Sequence, residues 1–149
     1  MLDLISVKIQ FSKDNLYRTL PFYATEGSAG VDLMSNEDCD IKPGERKLIN
    51  TGVSLEIPDG YELQLRTRSG LALKSGIIVL NAPGTIDSDY RGEIKIIIMN
   101  LGQTNFMILK RDRIAQGVFS RYSKVSFEVV EQLSDSKRAS NGFGSTGTS

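Results

Sequence analysis

Residues 47–65 read K-L-I-N-T-G-V-S-L-E-I-P-D-G-Y-E-L-Q-L. Apolar residues recur up to Ile57, and Pro58-Asp59-Gly60 then breaks the run. Beyond the break, Tyr61, Leu63 and Leu65 alternate with Glu62 and Gln64. Proline presets the backbone for a turn and glycine supplies the conformations other residues avoid. Alternation with a period of two puts one face of an extended strand against a core. The segment therefore reads as strand, turn, strand.

The same signature repeats in both directions. Residues 6–11 alternate through Val7, Ile9 and Phe11, and residues 29–34 form a short run after Glu26-Gly27-Ser28. Segment 47–57 itself follows a Pro43-Gly44 turn, and 77–80, 93–99, 105–109, 117–122 and 124–130 complete the set. Short strands at roughly 8–12-residue spacing predict an all-β fold, a jelly-roll-like barrel or sandwich. Only residues 69–74 suit a short helical turn, with Ser69 as its N-cap. Within 93–99, Ile94, Ile96 and Ile98 share a face, while Ile97 and Met99 make the other face apolar too. A strand apolar on both faces is covered on both; the second cover is either the interior of the same chain or another subunit.

Composition narrows the function. The 149 residues carry 18 Lys+Arg and 18 Asp+Glu, so the formal net charge is zero. That argues against a protein that grips nucleic acid by its phosphates, which needs clustered basic charge. No run approaches a membrane span and the first residues lack a secretory pattern, so neither membrane nor export is expected. Cys39 is the one cysteine, which forms no disulfide within the chain and fits a reducing cytoplasm. Asp38 and Asp40 beside it should raise its thiol pKa. Histidine is absent, which excludes Ser-His-Asp and Cys-His catalysis and His-ligated zinc. A carboxylate base and a hard, oxygen-bound metal remain, with Mg2+ first among them.

Five segments carry chemistry. Residues 138–149, R-A-S-N-G-F-G-S-T-G-T-S, are too rich in Gly and Ser/Thr to build a core, yet they hold one ring, Phe143, between Gly142 and Gly144. A ring suits a base; Arg138, Ser145, Thr146 and free amides suit phosphates. The chain accordingly divides into a β domain, 1–133, and a flexible Gly-rich C-terminal arm, 134–149. Residues 81–92, N-A-P-G-T-I-D-S-D-Y-R-G, read as a hairpin or long loop with Asp87, Asp89, Tyr90 and Arg91 crowded at its end. Residues 66–74 hold Arg68-Ser69-Gly70 between a strand and a helical turn, where amides and a hydroxyl can face an anion. In A-G-V-D-L, residues 29–33, Asp32 lies among apolar neighbours and is either on the solvent face or held by a partner such as Arg. In R-I-A-Q, residues 113–116, a guanidinium and the Gln116 amide sit at a strand edge.

Taken in order, A-G-V-D-L, R-S-G-L-A, N-A-P-G-T-I-D-S-D-Y-R-G, R-I-A-Q and G-F-G-S-T-G resemble the five motifs of the homotrimeric deoxyuridine triphosphatases, and they span most of the chain. Thr67 stands where Pro is common, Gly117 where a bulky aliphatic is, and Ala139 where Gly is; none removes a group expected to touch ligand.

The resemblance implies a trimer of jelly-roll-like subunits with active sites at their interfaces, each closed by a C-terminal arm. It implies hydrolysis of dUTP to dUMP and pyrophosphate, which limits uracil in DNA and supplies dUMP. Asp87 would hold the attacking water in line with the α-phosphorus. Carboxylates are weak bases at neutral pH, so positioning and charge neutralisation should dominate. Mg2+ would bind mainly through the phosphates, with Asp32 ordering the waters around it. Arg68, Ser69, Gly70 and Gln116 would contact the phosphate chain, and Arg138, Gly144, Ser145 and Thr146 its far end. Asn81 would read the uracil edge, and the turn at Gly84, Thr85 and Ile86 would leave no room for a thymine methyl. Tyr90 would pack on the deoxyribose and exclude a 2′-hydroxyl, and Phe143 would stack on the base. A deoxycytidine triphosphate deaminase and a nucleotide-binding regulator are the competing expectations; the 81–90 segment and the complete arm motif favour the triphosphatase.

Overall fold

The turn at 58–60 forms as its residues dictate. The Tyr61 amide donates to the Pro58 carbonyl at 3.2 Å, and Gly60 takes φ +84°. It joins β5 (Arg46–Glu56) to β6 (Tyr61–Arg66), yet the two strands do not pair; they belong to different sheets. The turn thus carries the chain from one layer to the other. In this computed structural model residues 4–142 are described.

The remaining elements are β1 (Lys8–Phe11), β2 (Phe22–Tyr23), β3 (Val31–Met34), β4 (Cys39–Ile41), α1 (Ser69–Ser75), β7 (Ile77–Val79), β8 (Gly84–Ile86), β9 (Glu93–Asn100), β10 (Phe106–Ile108) and β11 (Arg113–Arg121). They make a four-stranded sheet, β1-β5-β9-β7, a five-stranded sheet, β2-β3-β11-β6-β8, and a two-stranded piece, β10-β4, with every pairing antiparallel. The sheets stay separate, so the fold is a jelly-roll-like sandwich and not a closed barrel. One core lies between them. Ile49, Val53, Ile94, Ile96 and Ile98 come from the first sheet, and Leu33, Leu63, Leu65 and Ala115 from the second. Ile94, Ile96 and Ile98 are wholly buried, and each such side chain contributes about 1.5–3 kcal/mol. On the opposite face of β9, Ile97 and Met99 are only half-buried.

A bulge interrupts the longest pairing. The β5–β9 register shifts between Asn50 and Ser54. There Gly52 takes φ +67°, and a β-carbon on it would lie 2.8 Å from Asn15 atoms, so only glycine fits. The Asn15 amide reaches the Gly52 carbonyl at 3.3 Å, and the Thr51 hydroxyl donates to the Ile94 carbonyl at 2.6 Å.

Two expectations change. Residues 124–130 form no strand: Val125, Phe127 and Val129 alternate as a strand's would, but they are exposed and no described segment pairs with them. Ser69 is the first helical residue of α1 rather than its cap. Arg68 takes the cap position in an extended conformation, and no side chain caps the helix. Strands β2, β4 and β8, two or three residues long, lie outside the segments expected as strands. Among the described residues no helix is long and apolar enough to cross a membrane.

Candidate functional site

Strand register assembles the first half of the site. Across β3, β11 and β6, Asp32 lies opposite Gln116 and Gln116 opposite Arg66. Just past β6, Arg68 folds back so that its Nε lies 3.1 Å from Asp32 Oδ1, while Arg113 Nη1 donates to Asp32 Oδ2 at 3.0 Å. Arg68 Nη1 also donates to the Arg113 carbonyl at 2.9 Å. Asp32 is buried, so of the two options left by the sequence the structure takes the partnered one, and with two partners rather than one. Gln116 Nε2 donates to the Thr67 carbonyl at 3.0 Å. Gly30 leaves room for this amide, because a β-carbon there would lie 2.8 Å from Gln116 Oε1. Ser69 and Gly70 follow Arg68 on the exposed start of α1. The result is two guanidiniums on one carboxylate with the Gln116 amide on the neighbouring strand, a constellation suited to oxyanions of a phosphate chain.

Arg113 was visible in the sequence only as a guanidinium at a strand edge; its grip on Asp32 depends on a register no motif spells out. The hydroxyl of Thr67 has a use as well, accepting the Val79 amide at 2.9 Å and tying the strand before the hairpin to this cluster. A proline at 67 would lack that acceptor.

Residues 81–92 build the second half. After β7 the chain passes a cis Ala82–Pro83 bond, pairs with β6 as β8, and turns back into the other sheet as β9. Gly84 lies opposite Leu65, Thr85 opposite Gln64 and Ile86 opposite Leu63. Asn81 lies against Gly84, where a β-carbon would come 3.1 Å from its Nδ2. Asp87 and Tyr90 bracket a turn closed by the Tyr90 amide donating to the Asp87 carbonyl at 3.2 Å, and both side chains are exposed. Arg91 donates to the Ser88 carbonyl at 2.6 Å and to the Tyr90 carbonyl at 3.1 Å.

These halves do not meet within one chain. Strand order β3-β11-β6-β8 leaves Asp87 three strands from Asp32, about 14 Å sideways at the usual interstrand spacing. Beyond Gly84, β8 also runs away from the Arg66 row, which lengthens the gap. Arg138 is exposed and donates to the Asn141 carbonyl at 2.9 Å, beside Ala139 with φ +45°. Phe143, Gly144, Ser145 and Thr146 lie outside the described residues.

Outside the site, burial is the main cause that pushes the Cys39 thiol pKa up; Lys47 opposes it, and Glu37 and Asp40 add to it. Asp38 instead accepts the Lys110 amide at 2.6 Å. Among the described residues no group of three or more His, Cys, Asp or Glu side chains converges as a metal site.

Comparison with known proteins adds to this picture. A sequence model of the dUTPase family matches residues 17–147. The deoxyuridine 5'-triphosphate nucleotidohydrolase of Nautilia profundicola is 54% identical over 141 residues, covering 95% of this chain and 99% of that one. Its counterpart in Wolinella succinogenes is 52% identical over 149 residues, covering 100% of both. The structure of the Staphylococcus bacteriophage 80alpha dUTPase with dUpNHpp superposes with a TM-score of 0.88 at 27% identity, covering 96% of this chain and 99% of that one.

Proposed function

This chain belongs to the dUTPase family, and from that membership together with its site we infer that it hydrolyses dUTP to dUMP and pyrophosphate. Water attacks the α-phosphorus, the bond to the bridging oxygen breaks, and that oxygen leaves with the pyrophosphate. The observation that carries this reading is the convergence of Arg68 and Arg113 on Asp32 beside Gln116. With two guanidiniums against one carboxylate it keeps a net positive charge and is oriented before substrate arrives, as a grip for a phosphate chain.

The residue roles follow from the chemistry each group offers. Arg68, Ser69, Gly70 and Gln116 hold the phosphates, and Arg113 steadies the cluster. Asp87, exposed on its turn, holds the attacking water. Asn81 with Gly84, Thr85 and Ile86 receives the uracil edge, and Tyr90 packs against the deoxyribose. Cytosine offers a donor where uracil offers an acceptor, which leaves buried partners unpaired and discriminates strongly.

A divalent cation, Mg2+ by our reading, fits this donor set as an ion carried by the substrate. Both Asp32 oxygens already accept from guanidiniums, and among the described residues no group of carboxylates converges to ligate it directly. When bound it would neutralise charge on the phosphate oxygens, and Asp32 would orient its waters.

The reading includes a homotrimer with sites shared between subunits, which brings together the two half-sites that one chain holds apart. Two uncovered apolar surfaces support it. Leu48, opposite Ile97 on the outer face of the first sheet, is 56% exposed, and the strand-patterned segment 124–130 has no strand beside it among the described residues. Residues 1–133 act as the β domain and 134–149 as an arm that closes over a neighbour's site, bringing Arg138, Phe143, Gly144, Ser145 and Thr146. A cytoplasmic location is consistent with the free Cys39.

The direct test incubates the protein with Mg2+ and each deoxynucleoside triphosphate in turn, dUTP included, and identifies the products. Pyrophosphate and dUMP from dUTP alone are expected. Intact, tightly bound dUTP would indicate a regulator, and ammonia from dCTP a deaminase.

A further inference from the structure

We propose that Gly92 and Glu93 are positioning residues for Tyr90 and so set the discrimination between a 2′-deoxyribose and a ribose. The proposal rests on the reading of Tyr90 as the residue that packs on the sugar. A ring that excludes a single hydroxyl must be held to within a fraction of an ångström, because a loosened one simply moves aside. Tyr90 is 45% exposed, so packing alone does not hold it.

Two neighbours do. The ring lies over Gly92: a β-carbon there would lie 2.5 Å from Tyr90 Cζ and 2.9 Å from Cε2, so any other residue displaces the ring. The Tyr90 hydroxyl donates to the Glu93 carbonyl at 3.1 Å. Glu93 is in turn anchored from outside the hairpin, its Oε1 accepting the Gly52 amide at 2.7 Å. Gly52 sits at the β5 bulge, where its positive φ and the Asn15 side chain against it fix the backbone. A continuous path thus runs from the bulge through the Glu93 side chain to its carbonyl and on to the Tyr90 hydroxyl. The same turn carries Asp87, because the Tyr90 amide donates to the Asp87 carbonyl.

The test measures kcat/KM for dUTP, UTP and dCTP in the wild type, Gly92→Ala, Glu93→Ala, Glu93→Gln and Tyr90→Phe. Gly92→Ala and Glu93→Ala should raise the UTP-to-dUTP ratio about tenfold, the factor expected when one orienting hydrogen bond is lost. The dCTP-to-dUTP ratio should not change, because the base edge is read elsewhere. Glu93→Gln retains an oxygen acceptor for the Gly52 amide and should keep wild-type discrimination. Adding Glu93→Ala to Tyr90→Phe should raise the ratio no further than either change alone, since both break the same path. Wild-type ratios in folded Glu93→Ala would overturn the proposal, as would a parallel loss of discrimination against dCTP, which indicates general loosening. Failure of Glu93→Gln to restore the ratio would overturn it too. If Gly92→Ala fails to fold, the two Glu93 variants decide the matter. A wild-type protein that leaves dUTP intact would instead refute the functional reading itself.

Discussion

Replacing Asp32 with Asn probes the centre of the proposed phosphate grip. The carboxylate lies 3.1 Å from Arg68 and 3.0 Å from Arg113, and its side chain is 11% exposed against 28% and 45% for theirs. At an effective dielectric constant near 20, each pair attracts by roughly 5 kcal/mol before desolvation is counted. Desolvation cancels much of that. Breaking a fully buried pair costs about 3–5 kcal/mol, chiefly because a charge is left without its partner. Here both guanidiniums reach water, so the cost should fall to about 2 kcal/mol. For a chain of this size that lowers Tm by about 4–8 °C, measured at fixed protomer concentration so that the proposed assembly does not shift the comparison. A double-mutant cycle with Arg113→Ala isolates the interaction: in the Asp32→Asn background Arg113→Ala should cost at least about 1 kcal/mol less than in the wild type. Pyrophosphate in EDTA gives a second measure, since guanidiniums freed from Asp32 should let the anion stabilise the variant more than the wild type. Additive costs in the cycle, together with equal stabilisation by pyrophosphate, would refute the reasoning.

Three further outcomes are expected. Asp87→Asn should bind dUTP but turn it over at least about a thousandfold more slowly, as read by single-turnover product formation; if sites are shared, mixing it with Asp32→Asn subunits should yield more activity than either variant alone. Gly117→Val should destabilise the fold by about 1–3 kcal/mol in urea denaturation, because its β-carbon would lie 2.8 Å from Leu63 Cδ1 in a buried position, and Leu63→Ala in the same chain should recover part of the loss. Burial raises the Cys39 thiol pKa, so alkylation by iodoacetamide should have its pH midpoint above that of the urea-unfolded chain. The folded state then binds the proton more tightly, and this group's contribution to stability is full below the unfolded pKa and falls as pH rises towards the folded value. Coincident midpoints would contradict that assignment.

The sequence made the layers legible because its signals are local. Pro58-Asp59-Gly60 marks a turn and Ile94, Ile96 and Ile98 mark a face, whatever else the chain does. What stayed hidden depends on distant partners. Asp32 offered a choice between solvent and an arginine, and only the offset of β11 against β3 supplies Arg113. Gly84–Ile86 reads as part of a loop because its extended form comes from the edge of β6 and not from its own side chains. Segment 124–130 shows the opposite failure: its alternation is strand-like, but a strand needs a neighbour, and none lies beside it in the described chain. Gly117 looked like a departure from a bulky aliphatic. In this core the Leu63 methyl takes that volume.

One strand explains why this site divides as it does. On β6, Leu65 pairs with Gly84 of the hairpin, while the next residue, Arg66, pairs with Gln116 of the phosphate cluster. Leu65 is buried and Arg66 exposed, as alternation along a strand requires. The hairpin leaves from one edge of β6 and the cluster forms across the other, so no small motion of a single chain can bring Asp87 to Asp32. A single rigid β6 therefore fixes both halves while keeping them apart. Two different surfaces of one subunit that meet each other between copies make a head-to-tail contact, and such a contact forms a ring when its rotation closes. In the trimer proposed above, the gap between the half-sites would make catalysis depend on assembly, each subunit lending its hairpin to one neighbour and its Asp32 cluster to another.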